Sequence, residues 1–196
     1  MFIQEIENLK EKNFNCTNAR LLWEWETIDK RINNNTEIFY RITERNAFDL
    51  PLEYEVIYNI RSFCGVAEKD ENGFEKPIFA DKFFMKIKIP NNYPSCDSKM
   101  VFRFMTMDID GNKIPHPWHP NIRYFGDFAG RICLNEVAFG SFADIALFIE
   151  RVSHYLKYEK YHAIAKEPYP EDLYVAEWVC NQAEPNGWID DLKYNK

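Results

Sequence analysis

Phe83-Phe84-Met85-Lys86-Ile87-Lys88-Ile89-Pro90 is the stretch on which the fold turns. Phe83, Met85, Ile87 and Ile89 alternate with Phe84, Lys86 and Lys88, which is the two-residue period of a strand with one buried face. Pro90 ends the run because it has no N–H to give to a ladder. Upstream, Tyr54, Val56, Tyr58 and Ile60 alternate in the same way, and Ile38-Phe39-Tyr40-Arg41-Ile42 forms a shorter run before them. Downstream, Met100, Phe102 and Phe104 make a fourth alternating segment, and Asn72-Gly73 marks a turn. Four strands in succession with short connections predict an antiparallel meander covered on one face.

Both ends of the chain change to a helical period. Phe2, Ile6 and Leu9 are spaced by four and three, and after a break near residues 13–17 the pattern resumes at Leu21, Trp25, Ile28 and Ile32. Asn33-Asn34-Asn35 then stops it, since short amides compete for backbone hydrogen bonds. Near the other end, Ser141-Phe142-Ala143-Asp144 reads as a capping box with Asp144 in place of the usual Glu. Phe142, Ile145, Ile149, Val152 and Leu156 follow it at three-and-four spacing. A further helix is expected after Pro170, with Leu173, Ala176 and Cys180 on one face. The order helix, four strands, long loop, helix, helix is the α+β pattern.

Composition bounds the rest. A chain of 196 residues predicts a single domain, 1–196, able to bury its core without a metal or disulfide staple. Hydrophobic residues make up 46% and aromatic residues 16%, which excludes disorder and collagen-like structure. The 24 Lys and Arg against 31 Asp and Glu give a net charge of −7, and there is no basic block, so no nucleic-acid partner is expected. No apolar run reaches bilayer length, so no membrane partner is expected; the start also lacks a secretory pattern, which makes a cytoplasmic location the expectation. Cys16, Cys64, Cys96, Cys133 and Cys180 are odd in number and form no CxxC pair, as in a reducing compartment.

Residues 110 to about 139 lack periodicity but carry Trp118, Tyr124, Phe125 and Phe128, too many aromatics for a disordered linker. Within them lie His116-Pro117-Trp118-His119-Pro120-Asn121-Ile122 and, further on, Gly130-Arg131-Ile132-Cys133-Leu134-Asn135. Cys133 reads either as an accessible nucleophilic thiol beside a glycine loop or as a packed thiol between Ile132 and Leu134. Asn121 reads as an amide donor for a developing oxyanion or as a side chain that holds its own loop, and the two are compatible.

His119-Pro120-Asn121 followed by Gly130-Arg131-Ile132-Cys133-Leu134 resembles the active-site segment of ubiquitin-conjugating enzymes. Ile89-Pro90-Asn91-Asn92-Tyr93-Pro94 is similar to that family's segment ending in Tyr-Pro. Glu167-Pro168-Tyr169-Pro170-Glu171-Asp172-Leu173 resembles its Pro-x-Pro-acid-acid stretch before a helix. The resemblance covers about residues 20–185, leaving 1–17 as an amino-terminal helical extension. Three departures stand out. Tyr124-Phe125-Gly126-Asp127-Phe128 lengthens the spacing between Asn121 and Cys133. Ser95-Cys96-Asp97-Ser98 replaces a proline pair, and the family's Trp after the Cys is missing, with Phe139 or Phe142 standing nearby.

The resemblance implies an acyltransferase working through a cysteine thioester, with no cofactor and no metal. Cys133 would accept a ubiquitin-like modifier from an activating enzyme and pass it to an amine of a protein substrate. Asn121 would order the loop and stabilise the oxyanion, and His119 would lock the loop rather than act as a base. Asp172 stands where the family keeps an acid that receives the incoming lysine, and Glu171 is the substitute; Asp172 also reads as a helix N-terminal acid complementing the macrodipole. The family's first helix docks the activating enzyme through basic residues; here Arg20, Lys30 and Arg31 are interleaved with Glu24, Glu26 and Asp29. Divergence of this size suggests a bacterial or viral conjugation system of the kind found in antiphage operons. The rival readings are an idle binding module on the same fold, a cysteine hydrolase, and a zinc site from His116, His119 and Cys133.

Overall fold

The computed structural model describes residues 2–95, 100–133, 144–164, 166–167 and 169–194. Helices α1 (Ile3–Lys10) and α2 (Cys16–Ile32) lead into strands β1 (Ile38–Arg45), β2 (Pro51–Tyr58), β3 (Ser62–Val66), β4 (Pro77–Ala80), β5 (Phe83–Lys88) and β6 (Val101–Phe104). Helices α3 (Ile145–Leu156) and α4 (Leu173–Trp178) follow, then a π-helical turn (Val179–Ala183) and α5 (Trp188–Tyr194). Strands β1, β2, β5 and β6 form the antiparallel four-stranded sheet in that order, as the alternation predicts. A second sheet of β3 and β4, unforeseen in the sequence, is inserted between β2 and β5. Its register slips between Phe63 and Gly65, so no clean two-residue period survives in five residues.

The chain divides into two compact units. The first comprises Met1–Ile57, Met85–Phe102 and Glu136–Arg151. Here Leu21, Trp25, Ile28 and Ile32, the expected face of α2, are all buried, as are Tyr54, Val56, Met85 and Ile87 of the sheet. The Asn15 side chain caps α2 by accepting from Asn18 N–H, and α2 ends at Ile32, ahead of the asparagine triplet. Helix α1 is held by burial of Ile6 and Leu9 and by Lys10–Glu26 at 2.7 Å. Glu24 is fully buried yet satisfied: Arg20 and the Tyr93 hydroxyl donate to one oxygen, and Ile145 N–H at the start of α3 donates to the other. Ser141, Phe142 and Ala143 of the expected capping box lie outside the described residues. Asp144 itself accepts from Leu147 N–H three residues on, so it occupies the cap position rather than the third helical position assigned to it from sequence.

The second unit comprises Tyr58–Phe84, Arg103–Asn135 and Val152–Lys196. Phe63, Trp118, Tyr158, Val175, Ala176, Trp178, Val179, Ala183, Ile189 and Leu192 form its core. This corrects the expected helix face. Ala176 is buried, but Leu173, at the first position of α4, is exposed, and so is Cys180, which lies in the π turn where the 3.6-residue period no longer applies.

Candidate active site

All four residues singled out in the sequence fall in the second unit, around residues 116–133. This segment has only isolated bridges, and backbone bonds fold it back on itself. Cys133 N–H donates to Asn121 O at 2.8 Å, Arg123 N–H to Arg131 O at 2.8 Å, and Gly130 N–H to Arg123 O at 2.7 Å. Residues 121–123 thus lie beside 130–133, and the extra residues 124–128 loop out between them. The longer spacing therefore leaves Asn121 and Cys133 as direct backbone partners. Cys133 is half-buried.

Gly130 makes the return possible. Its φ is +85°, and a Cβ there would sit 2.1 Å from the Phe104 carbonyl oxygen. That close approach is held by Phe104 N–H donating to Gly130 O at 2.9 Å. Arg103 adds a fork of side-chain bonds to the carbonyls of Ala129 and Asp127.

His119 is fully buried, with its ring stacked on Tyr155 and edge-on to Tyr158. Asn121 N–H donates to His119 Nδ1 at 3.1 Å, so the ring proton sits on Nε2 and points to Lys160 O at 3.3 Å. Burial pushes the imidazole pKa down to about 3. A neutral ring with both nitrogens engaged on backbone is a loop lock, not a proton carrier or a metal ligand. The zinc reading loses His119 on this ground, and the hydrolase reading loses it as a base. The His116 ring stacks on Tyr124 and its Nε2 meets Tyr124 O at 3.1 Å.

The Asn121 side chain is nearly buried, and its Oδ1 accepts from His162 N–H at 2.9 Å. Asp172 is buried too. Its Oδ1 caps α4 by accepting from Val175 N–H, its Oδ2 accepts from Tyr124 N–H at 2.9 Å, and its own N–H donates to Pro120 O at 3.0 Å. Neighbouring Glu171 accepts from Arg131 at 2.6 Å and lies 3.4 Å from Arg123. The acidic pair thus ties the start of α4 to the loop on both sides of its return. Tyr124, Arg131 and His162 were not anticipated. Tyr124 and His162 act here through backbone N–H groups that every residue but proline carries, so no side-chain pattern announces them. Arg131 lies inside the motif, and its partner Glu171 was legible as an acid beside Asp172.

Among the described residues, no group of three His, Cys, Asp or Glu is placed to hold a metal ion, and no helix is long and apolar enough to cross a membrane. No family model matches the chain, and no curated protein matches it. Solved structures do. A ubiquitin-conjugating enzyme homologue from Plasmodium yoelii, known only as a suspected family member, superposes with a TM-score of 0.55 at 20% identity, covering 92% of this chain and 93% of that one. The H. polymorpha ubiquitin-conjugating enzyme Pex4p, solved with the soluble domain of Pex22p, gives 0.50 at 15% identity over 92% and 96%. The element order, the four-stranded sheet and the near-complete coverage agree: this chain has the ubiquitin-conjugating-enzyme fold.

Proposed function

We propose that Cys133 carries a ubiquitin-like protein as a thioester and delivers it to an amine. The Cys133 thiolate attacks the thioester presented by an activating enzyme, and that enzyme's thiolate leaves. A substrate lysine, having lost a proton, then attacks the acyl carbon. The tetrahedral intermediate gives up its second nitrogen proton to water, collapses to an amide and returns the Cys133 thiolate. Asn121, with its carbonyl end held by His162, offers its amide N–H to the oxyanion. His119, Glu171 and Asp172 act as positioning residues that hold the loop. The observation that carries the reading is the Cys133 N–H to Asn121 O bond, which makes a half-buried cysteine the direct backbone partner of the motif's asparagine. Arg20, Lys30 and Arg31 of α2 are already paired with Glu24, Glu26, and Asp144 and Glu150, so an activating enzyme would meet this helix differently from a freely basic one.

The test is reconstitution with ATP, the activating enzyme and the modifier, followed by a denaturing gel without reductant. A thiol-labile adduct is expected on the wild type and not on Cys133→Ala. Because Cys16 and Cys180 are exposed, an adduct that survives Cys133→Ala would refute the assignment, and no adduct at all would favour an idle binding module. Asn121→Ala should slow discharge to free lysine by about 10²-fold while loading changes little. Equal slowing of both steps would remove the oxyanion role.

A further inference from the structure

Residues 160–163 lie outside every motif, yet they are gripped from two sides. Toward the loop, Lys160 O accepts from His119 Nε2 at 3.3 Å, and His162 N–H donates to Asn121 Oδ1 at 2.9 Å. Toward the C-terminal helices, the Tyr161 hydroxyl donates to Glu184 Oε1 at 2.6 Å, and Cys180 Sγ donates to Ala163 O at 3.4 Å. Glu184 directly follows the π turn, and its N–H donates to Val179 O at 2.9 Å. π turns recur at functional sites, where they displace side chains from helical register.

The His162 bond has a chemical consequence. A backbone N–H can be met only by the oxygen of a carboxamide, so the orientation of the Asn121 amide is fixed by that contact. Among the described residues Asn121 Nδ2 has no acceptor. Its two N–H groups are left without a protein acceptor among those residues. A planar amide turns as one piece, so whatever places His162 N–H also aims Nδ2.

We propose that Tyr161 and Glu184 are positioning residues which, through His162, aim the Asn121 amide and so set the rate of amine transfer from Cys133. The bond between them is charge-assisted, the stronger class of hydrogen bond, and it is the side-chain anchor of the residue next to His162. This inference rests on the thioester reading of Cys133.

The experiment uses the full chain with its activating enzyme and modifier. Tyr161→Phe removes one hydroxyl. It should slow discharge of the Cys133 thioester to lysine about fivefold and leave loading unchanged. In an Asn121→Ala background it should add nothing, since the group it aims is gone. Glu184→Gln, which keeps an acceptor, should lose less than Glu184→Ala. In the free protein, hydrogen exchange at the His162 amide should also quicken about fivefold in Tyr161→Phe. Unchanged exchange overturns the proposal, as does equal slowing of loading and discharge, or an undiminished effect in the Asn121→Ala background. If wild-type Cys133 takes no modifier, the thioester reading fails and the effect on transfer fails with it. The exchange measurement still decides whether Tyr161 holds His162.

Discussion

The four-stranded sheet and the loop at 116–133 are both well fixed, by opposite means. The sheet takes its register from alternation: Tyr54 and Val56 in β2, with Met85 and Ile87 in β5, are fully buried at every second position. Any well-fitting apolar side chain preserves such a face. The loop has no repeating face. Its path is set by particular bonds from His119, Asn121, Glu171 and Asp172 to named backbone atoms or arginines. Periodic order spreads its stabilisation over many exchangeable contacts, whereas addressed order concentrates it in a few that cannot be exchanged. The proposed transfer, in which a thiol and an amide meet one reacting carbon, would call for the second kind.

The largest effect should come from Gly130→Ala, which forces a Cβ to 2.1 Å from a backbone oxygen. A loss of about 3 kcal/mol or more in urea unfolding is expected. Gly73→Ala shares a positive φ of +81° but meets nothing within 4 Å, so it should cost only about 1 kcal/mol. Equal losses would mean that torsion rather than crowding governs both. Asp172→Ala should come next, at about 1–2 kcal/mol, since it removes the cap of α4 and a bond to Tyr124. Faster amide exchange at Tyr124 and Val175, with the four-stranded sheet still protected, would confirm that this order is local; uniform loss of protection would erase the contrast.

The remaining contrast is a pH slope. His119 is held neutral in the fold, with its pKa pushed down to about 3, whereas the unfolded chain binds a proton near 6.5. The unfolded state then carries more protons between those values, so stability is full above about pH 6.5 and falls as pH drops. Between pH 6.5 and 5, where most carboxylates stay charged, His119 should contribute a slope approaching about 1.4 kcal/mol per unit. His119→Gln should flatten it; an identical slope in the variant would show that the ring is not held neutral.

These two kinds of order also explain what the sequence disclosed. Period-two and period-3.6 patterns marked β1, β2, β5, β6 and the buried faces of α2 and α3, because burial imposes the period directly. The β3–β4 pair escaped because its bulge breaks the alternation, and the outward turn of Cys180 escaped because a π turn shifts the helical register. In the site, His119, Asn121, Cys133 and Asp172 were legible as side-chain types in a familiar order. Tyr124 and His162 were not, since the bonds they give to Asp172 and Asn121 come from backbone N–H groups.

Arg103 grips the looped-out residues through the carbonyls of Asp127 and Ala129. Main-chain oxygens are the same in every amino acid, so this clasp is indifferent to the side chains it holds. Phe125 and Phe128, both more than half exposed, can therefore be exchanged for other side chains without removing that clasp. The outer face of the looped-out residues is thus decoupled from the contact that holds their backbone.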